Sequence, residues 1–235
     1  MTGNHQLWRK FSRTRTVLLD FDGPVCSVFA GFPAPMVAEE TRRSLLESGV
    51  SLPQPGIDTD DPMVVLSQAA QVSRDAGQEA QLHLADLELQ AVESAEPTPG
   101  STRFLRACRE ASKPVVIVSN NTAGAIRRYL GIHSLGDLVF DVIGRDQDDA
   151  TLMKPHPHLL LTALKRVSCE PADAVMIGDS PSDLAAARAA GVPSIGFANK
   201  PGKDARLSAA DAVIGSMDDL AAAVQSVWGG GPTSP

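Results

Sequence analysis

Short apolar runs punctuate the chain, and most of them end in polar residues. Thr16–Phe21 (TVLLDF), Lys113–Ser119 (KPVVIVS), Leu138–Ile143 (LVFDVI), Ala174–Asp179 (AVMIGD), Pro193–Phe197 (PSIGF) and Asp211–Ile214 (DAVI) are too short for helices and rich in aliphatic residues. They read as strands buried on both faces. Helical patterns occupy Thr102–Ala111, Ala123–Leu130, His156–Val167, Ser182–Ala190 and Met217–Trp228. Gly191 stands just beyond one of these helices with Pro193 soon after, a stop signal. Strands alternating with helices imply parallel βαβ units, hence an α/β fold with a Rossmann-like, doubly wound parallel sheet.

Residues 28–96 break this rhythm. They hold no convincing strand; Met36–Ser48, Pro62–Ala76 and Gln78–Ala95 read as helices. Asp61-Pro62 is a helix start, an N-cap acid followed by proline at the first helical position. Leu82, Leu84, Leu87, Leu89 and Val92 give the third helix an apolar side, with two of the leucines on a flanking face. An all-helical domain over 28–96, inserted after the first strand, leaves a core made of 15–27 and 97–228. Pro97–Gly100 (PTPG) reads as the return hinge, and residues 1–14 and 229–235 as flexible termini.

Composition narrows the class. Of 235 residues, 43% are hydrophobic and 21% charged, as in a water-soluble globular protein, and the net charge of -7 speaks against a nucleic-acid partner. No apolar run approaches the ~18 residues of a membrane span. The cysteines Cys26, Cys108 and Cys169 are odd in number and scattered. That fits neither a disulfide framework nor a zinc site, and points to the cytoplasm. Monomer and homodimer both stay open.

Chemistry concentrates in four segments: Asp20-Phe21-Asp22-Gly23, Ser119-Asn120-Asn121, Lys154-Pro155, and Gly178-Asp179 leading to Asp183. Three of them sit at the C-terminal ends of expected strands, which share one crevice in an open parallel sheet. Asp20, Asp22, Asp179 and Asp183 would crowd negative charge there, and crowded carboxylates cannot all stay ionised without a counterion. Mg2+ meets that need with carboxylates, waters and a substrate phosphate. Lys154 and the Ser119 hydroxyl suit phosphate oxygens.

In order and spacing these segments resemble the motifs of the haloacid dehalogenase superfamily: DxDG, a strand ending in Ser or Thr, a Lys, and GDxxxD. The inserted helices resemble the branch that includes phosphoglycolate-phosphatase-like and β-phosphoglucomutase-like enzymes. The resemblance implies a Mg2+-dependent phosphatase acting on a small phosphorylated metabolite through an aspartyl-phosphate. Asp20 is then the nucleophile and Asp22 the general acid/base. Ser119, the Asn120 main chain and Lys154 bind the phosphoryl group. Asp20, Asp179 and the Asp22 carbonyl hold the metal, and Asp183 supports them. An acid at position 22 favours phosphate esters over alkyl halides, because a departing halide needs no proton. Pro24 and Ser27 depart from the usual pattern of Thr after DxDG and an acid four residues after the glycine. A phosphomutase and a non-catalytic Mg2+/phosphate-binding module share the same motifs and stand as alternatives.

Simpler roles account for other residues. Asp183 alone suits a helix cap, Asn120 and Asn121 suit turns, and His156 and His158 the start of a helix. Arg42 and Arg43 suit a solvated helix face, His83 an ordinary place on its helix, Asp146–Asp149 an exposed loop, and Cys26 core packing.

Overall fold

The computed structural model describes residues 12–228. The N-terminal reading, beyond Ser12–Thr14, and that of 229–235 lie outside the described residues. The centre is a six-stranded parallel sheet in the order β5-β4-β1-β6-β7-β8. Its strands are β1 (Thr16–Leu19), β4 (Val115–Val118), β5 (Asp141–Ile143), β6 (Ala174–Gly178), β7 (Ser194–Phe197) and β8 (Ala212–Ile214). All six answer the apolar runs. β1, β4, β6 and β7 are buried throughout, because helices cover both faces.

Alternation along the strands divides the core in two. Val17, Leu19, Ile117 and Ile177 point into one layer with Phe104, Ile126 and Leu220. These come from α4 (Ser101–Glu110), α5 (Ala123–Ile132) and α9 (Met217–Trp228). Leu18, Val116, Val118 and Met176 face the other layer, with Leu159, Leu160 and Ala187 from α6 (His158–Arg166) and α7 (Pro181–Ala190). Leu19 is level with Ile117 in β4 and Ile177 in β6. Asp20, Ser119 and Asp179 therefore emerge together at the C-terminal edge of the three central strands.

Between β1 and α4 lie α1 (Ala34–Glu47), α2 (Pro62–Val72) and α3 (Arg74–Ala91). They enclose a cluster that includes Val37, Leu45, Val65, Leu66 and Leu84, together with Ala150 and Met153 from the loop after β5. Leu82 and Leu89 face outward. Two details differ from the sequence reading. The chain leaves and re-enters the sheet region through an antiparallel ribbon, β2 (Cys26–Ser27) against β3 (Glu96–Pro97), so Glu96 is a strand residue paired with Ser27. Two-residue strands leave no periodicity to read.

The second difference is a break at Ser73, where one helix was expected to run on to Ala76. Ser73 is extended (φ -163°, ψ 161°) and ends α2 while capping α3. Its hydroxyl accepts from Ala76 N at 3.0 Å. The turn brings α3 against α2 so closely that a Cβ on Gly77 would lie 2.8 Å from Ala70 Cα. Ser73→Ala is expected to lower stability by about 1 kcal/mol, read as a lower urea midpoint with an unchanged slope. A further one-turn helix, α8 (Lys203–Arg206), follows β7. Among the described residues no helix is long and apolar enough to cross a membrane.

Candidate active site

Asp20 follows β1 directly and is buried. Its Oδ1 accepts from Phe21 N at 2.8 Å and from Lys154 Nζ at 2.7 Å, while Oδ2 accepts no hydrogen bond from any described residue. Lys154 spends its other two protons on Val118 O at 3.0 Å and Asp183 Oδ1 at 2.6 Å. Burial, Asp183 and Asp179 raise the Asp20 pKa against the pull of Lys154. Burial disfavours the Lys154 ammonium, but Asp183 and Asp20 outweigh it and hold the pKa above its ordinary value.

Asp183 is fully buried, and its second oxygen receives the main-chain N–H groups of Asp179 and Ser180 at 3.1 and 3.0 Å, and the Ser180 hydroxyl at 2.8 Å. The helix-cap reading of Asp183 is thus met, by a capping box with Ser180, and the same carboxylate anchors Lys154. Gly178 makes room for it: a Cβ there would meet Asp183 Cβ at 2.4 Å. One carboxylate thus both caps the helix and binds Lys154.

Asp20, Asp179 and Asp183 offer carboxylate oxygens all within 4.8 Å of one another. Hard oxygen donors, crowded so that burial raises the pKa of both Asp20 and Asp179, fit a small divalent cation. Asp183 belongs to this group by distance, yet its oxygens are already engaged, so Asp20 and Asp179 carry the available donors. Lys203 was not picked out in the sequence. Its Nζ touches Asp179 Oδ2 and reaches Asn199 Oδ1 at 3.0 Å. It sits on the one-turn helix α8, which carries no periodic signal.

Asp22 lies two residues past the nucleophile candidate. Its Oδ1 accepts from Val28 N at 3.0 Å. Burial, helped by Asp179, raises its pKa to about 6 against the Val28 N–H and the Lys203 and Lys200 charges. Directly after Asp22, Gly23 has φ 99°, and a Cβ would fall 2.2 Å from Asp179 Oδ2. Only glycine allows that turn so close to a carboxylate. The Thr98 hydroxyl holds Gly23 O from beyond the ribbon. Cys26 is buried packing, as read.

The Ser119–Asn121 loop holds more than turn residues. Asn120 pairs with the main chain of Lys154 in both directions, accepting from its N at 2.8 Å and donating to its O at 3.0 Å. Its own main-chain N–H donates to no described residue. Ser119 Oγ donates to Asn121 Oδ1 at 3.2 Å. Behind the loop, Glu88 of α3 receives Asn121 Nδ2 at 3.1 Å, Thr122 N at 2.9 Å and Thr122 Oγ1 at 2.8 Å. Glu88 also forms a fully buried ion pair with Arg145. Arg145 donates to Asn120 O at 3.0 Å and Gln81 Oε1 at 2.6 Å. Neither Glu88 nor Arg145 lies in a motif, although Arg145 stands just past the end of β5, a position that itself marks it in the sequence.

Above this floor opens a cavity of about 750 Å3, lined by Asp20, Asp22, Ser119, Asn120, Lys154, Asp179 and Asp183 and roofed by α2. Every site residue expected from the sequence meets here. Arg42 and Arg43 do not: Arg42 binds Glu39 and Thr59 O, and Arg43 binds Glu40. His156 and His158 lie at the turn before α6 and its first residue, with the His158 N–H on His156 Nδ1.

An acid-rich crevice at the strand ends of a parallel sheet, roofed by inserted helices, defines a class, and comparison names it. A family model of haloacid dehalogenase-like hydrolases matches residues 14–191, and the chain belongs to that family. It is 32% identical over 122 residues to the bifunctional riboflavin kinase/FMN phosphatase of Arabidopsis thaliana, covering 52% of this chain and 32% of that protein. It is 35% identical over 107 residues to the phosphoglycolate phosphatase of Rhodospirillum rubrum, covering 44% of each. The chain thus matches less than half the length of these curated relatives. A crystal structure described as a predicted phosphatase from Clostridium acetobutylicum shares the fold, with a TM-score of 0.71 at 17% identity over 91% of this chain and 99% of that one.

Proposed function

We propose that the protein is a Mg2+-dependent phosphatase of small phosphate monoesters, working through an aspartyl-phosphate on Asp20. The observation that carries this reading is the arrangement of one carboxylate: Asp20 Oδ1 is pinned by Lys154 and Phe21 N–H, and Oδ2 is left free at the cavity floor. Two relatives whose names denote phosphatases support the class.

In this reading Oδ2 attacks phosphorus, an oxygen–phosphorus bond forms to give an acyl phosphate on Asp20, and the bond from phosphorus to the leaving oxygen breaks. Asp22, with a pKa of about 6, gives its proton to the departing alkoxide. It then takes a proton from water as the water oxygen attacks phosphorus, releasing phosphate and restoring Asp20. Ser119 Oγ and the Asn120 N–H receive phosphoryl oxygens, and Lys154 faces the same charge. Asp20, Asp179 and the Asp22 carbonyl would hold Mg2+, with Asp183 in support; the ion supplies positive charge to the phosphoryl oxygens. The helices over 28–96 serve as a cap that excludes water. The free thiols of Cys26, Cys108 and Cys169 support the cytoplasm as its compartment.

The test is phosphate release from an aryl phosphate with Mg2+, with EDTA, and with Mg2+ restored. Turnover that disappears with EDTA and returns with excess Mg2+ is expected. Equal turnover in EDTA would remove the metal from the reading, and no turnover on a broad ester panel would remove the phosphatase.

A further inference from the structure

We infer that the substrate's organic part carries no second negative charge, so that the cavity takes the phosphate monoester of an uncharged alcohol or phenol. The inference rests on the phosphatase reading and concerns the half of the cavity away from Asp20.

That half offers no cation to hold an anion. Lys154 is the one cation lining the cavity among the described residues, and all three of its protons are committed to Asp20, Val118 and Asp183. The roof is the start of α2, and a helix N-terminus can attract anions through its free N–H groups. Here those groups are used. Residue 62 is a proline, Met63 N binds Asp61 Oδ1 at 2.8 Å, and Val64 N and Val65 N bind Asp61 O at 3.1 and 3.2 Å. Asp61 also cancels the helix charge, and Asp60 adds a second carboxylate to the same wall.

The remaining lining is uncharged: apolar at Phe29, Met63, Val64 and Met153, with neutral hydrogen-bonding groups on Ser67, Gln71, Thr151, Ser180 and Ser182. Arg42 and Arg43 on α1 are paired with Glu39 and Glu40 and line no part of the cavity. A carboxylate or second phosphate on the substrate would face two acids with no cationic partner, which electrostatic complementarity penalises. A neutral ring or polyol meets apolar walls and amide or hydroxyl groups. This also ranks a bisphosphate-handling phosphomutase below the phosphatase. A cationic hollow does exist beyond Asp22 and Asp179, with Lys200, Lys203 and Arg206, and the test must separate it from the roofed cavity.

The test compares matched esters on the wild-type protein with Mg2+: phenyl phosphate against 4-carboxyphenyl phosphate, and 2-hydroxyethyl phosphate against phosphoglycolate. The expected result is a kcat/KM at least tenfold higher for the uncharged member of each pair, and a ratio that shrinks at least fivefold in Asp60→Arg. Equal or better turnover of the carboxylate esters overturns the inference. If Arg206→Ala abolishes that turnover, the anionic tail lies in the outer hollow instead. A wild type that hydrolyses none of the four esters with Mg2+ overturns the phosphatase reading and this inference with it, an outcome distinct from hydrolysis with the wrong charge preference.

Discussion

Asp20→Asn is expected to cut phosphate release on the order of 10^4-fold or more while the protein stays folded. Asparagine keeps the shape of the side chain but cannot form the acyl phosphate. The fold should tolerate it, because burial and the charges of Asp183 and Asp179 already oppose the ionised form of Asp20. Lys154 keeps Asp183 and Val118 as partners, so no lone buried charge is created. The check is a pair of measurements on the same sample, phosphate release and a thermal melt. Loss of activity with a melting point within a few degrees of wild type is the expected pair. Activity within tenfold of wild type would exclude Asp20 as nucleophile.

Arg145→Met is expected to act oppositely, with stability as its main casualty. Arg145 and Glu88 are fully buried against each other, and removing one partner of such a pair costs about 3–5 kcal/mol. For a chain of this size that lowers the melting temperature by about 6–20 °C. The loss should be shared, because Glu88 also holds Thr122 and Asn121 and Arg145 also holds Asn120 O and Gln81. Glu88→Leu in the same background should restore part of the loss, since two neutral side chains avoid the lone charge. Urea denaturation of the single and double variants measures the coupling. Additive losses would show that the pair is no unit.

What could be read in advance follows from the physics of each element. A parallel sheet covered on both faces writes its strands as unbroken apolar runs, so β1, β4 and β6 stand out, and the acids that follow them are located by the same runs. The Asp20, Asp22, Lys154 and Asp179 grouping was legible because each residue sits within a motif or at a strand end. The two-residue ribbon was not, since pairing across 69 positions, Ser27 with Glu96, leaves no local trace. Ser73 was hidden because the apolar pattern runs through it. Asn120 and Asn121 look like turn residues along the chain, and only the approach of Lys154 and Glu88 from distant segments makes them junctions.

The ribbon has a mechanical consequence. Both chain crossings between the sheet and the three inserted helices lie side by side, with Cys26 opposite Pro97 and Ser27 opposite Glu96. The insertion is therefore joined along the chain at one place, while Ala150 and Met153 from the loop after β5 pack into its apolar cluster and hold it from a second side. The Glu88–Arg145 pair lies elsewhere along α3 and fastens that helix to the segment just past β5.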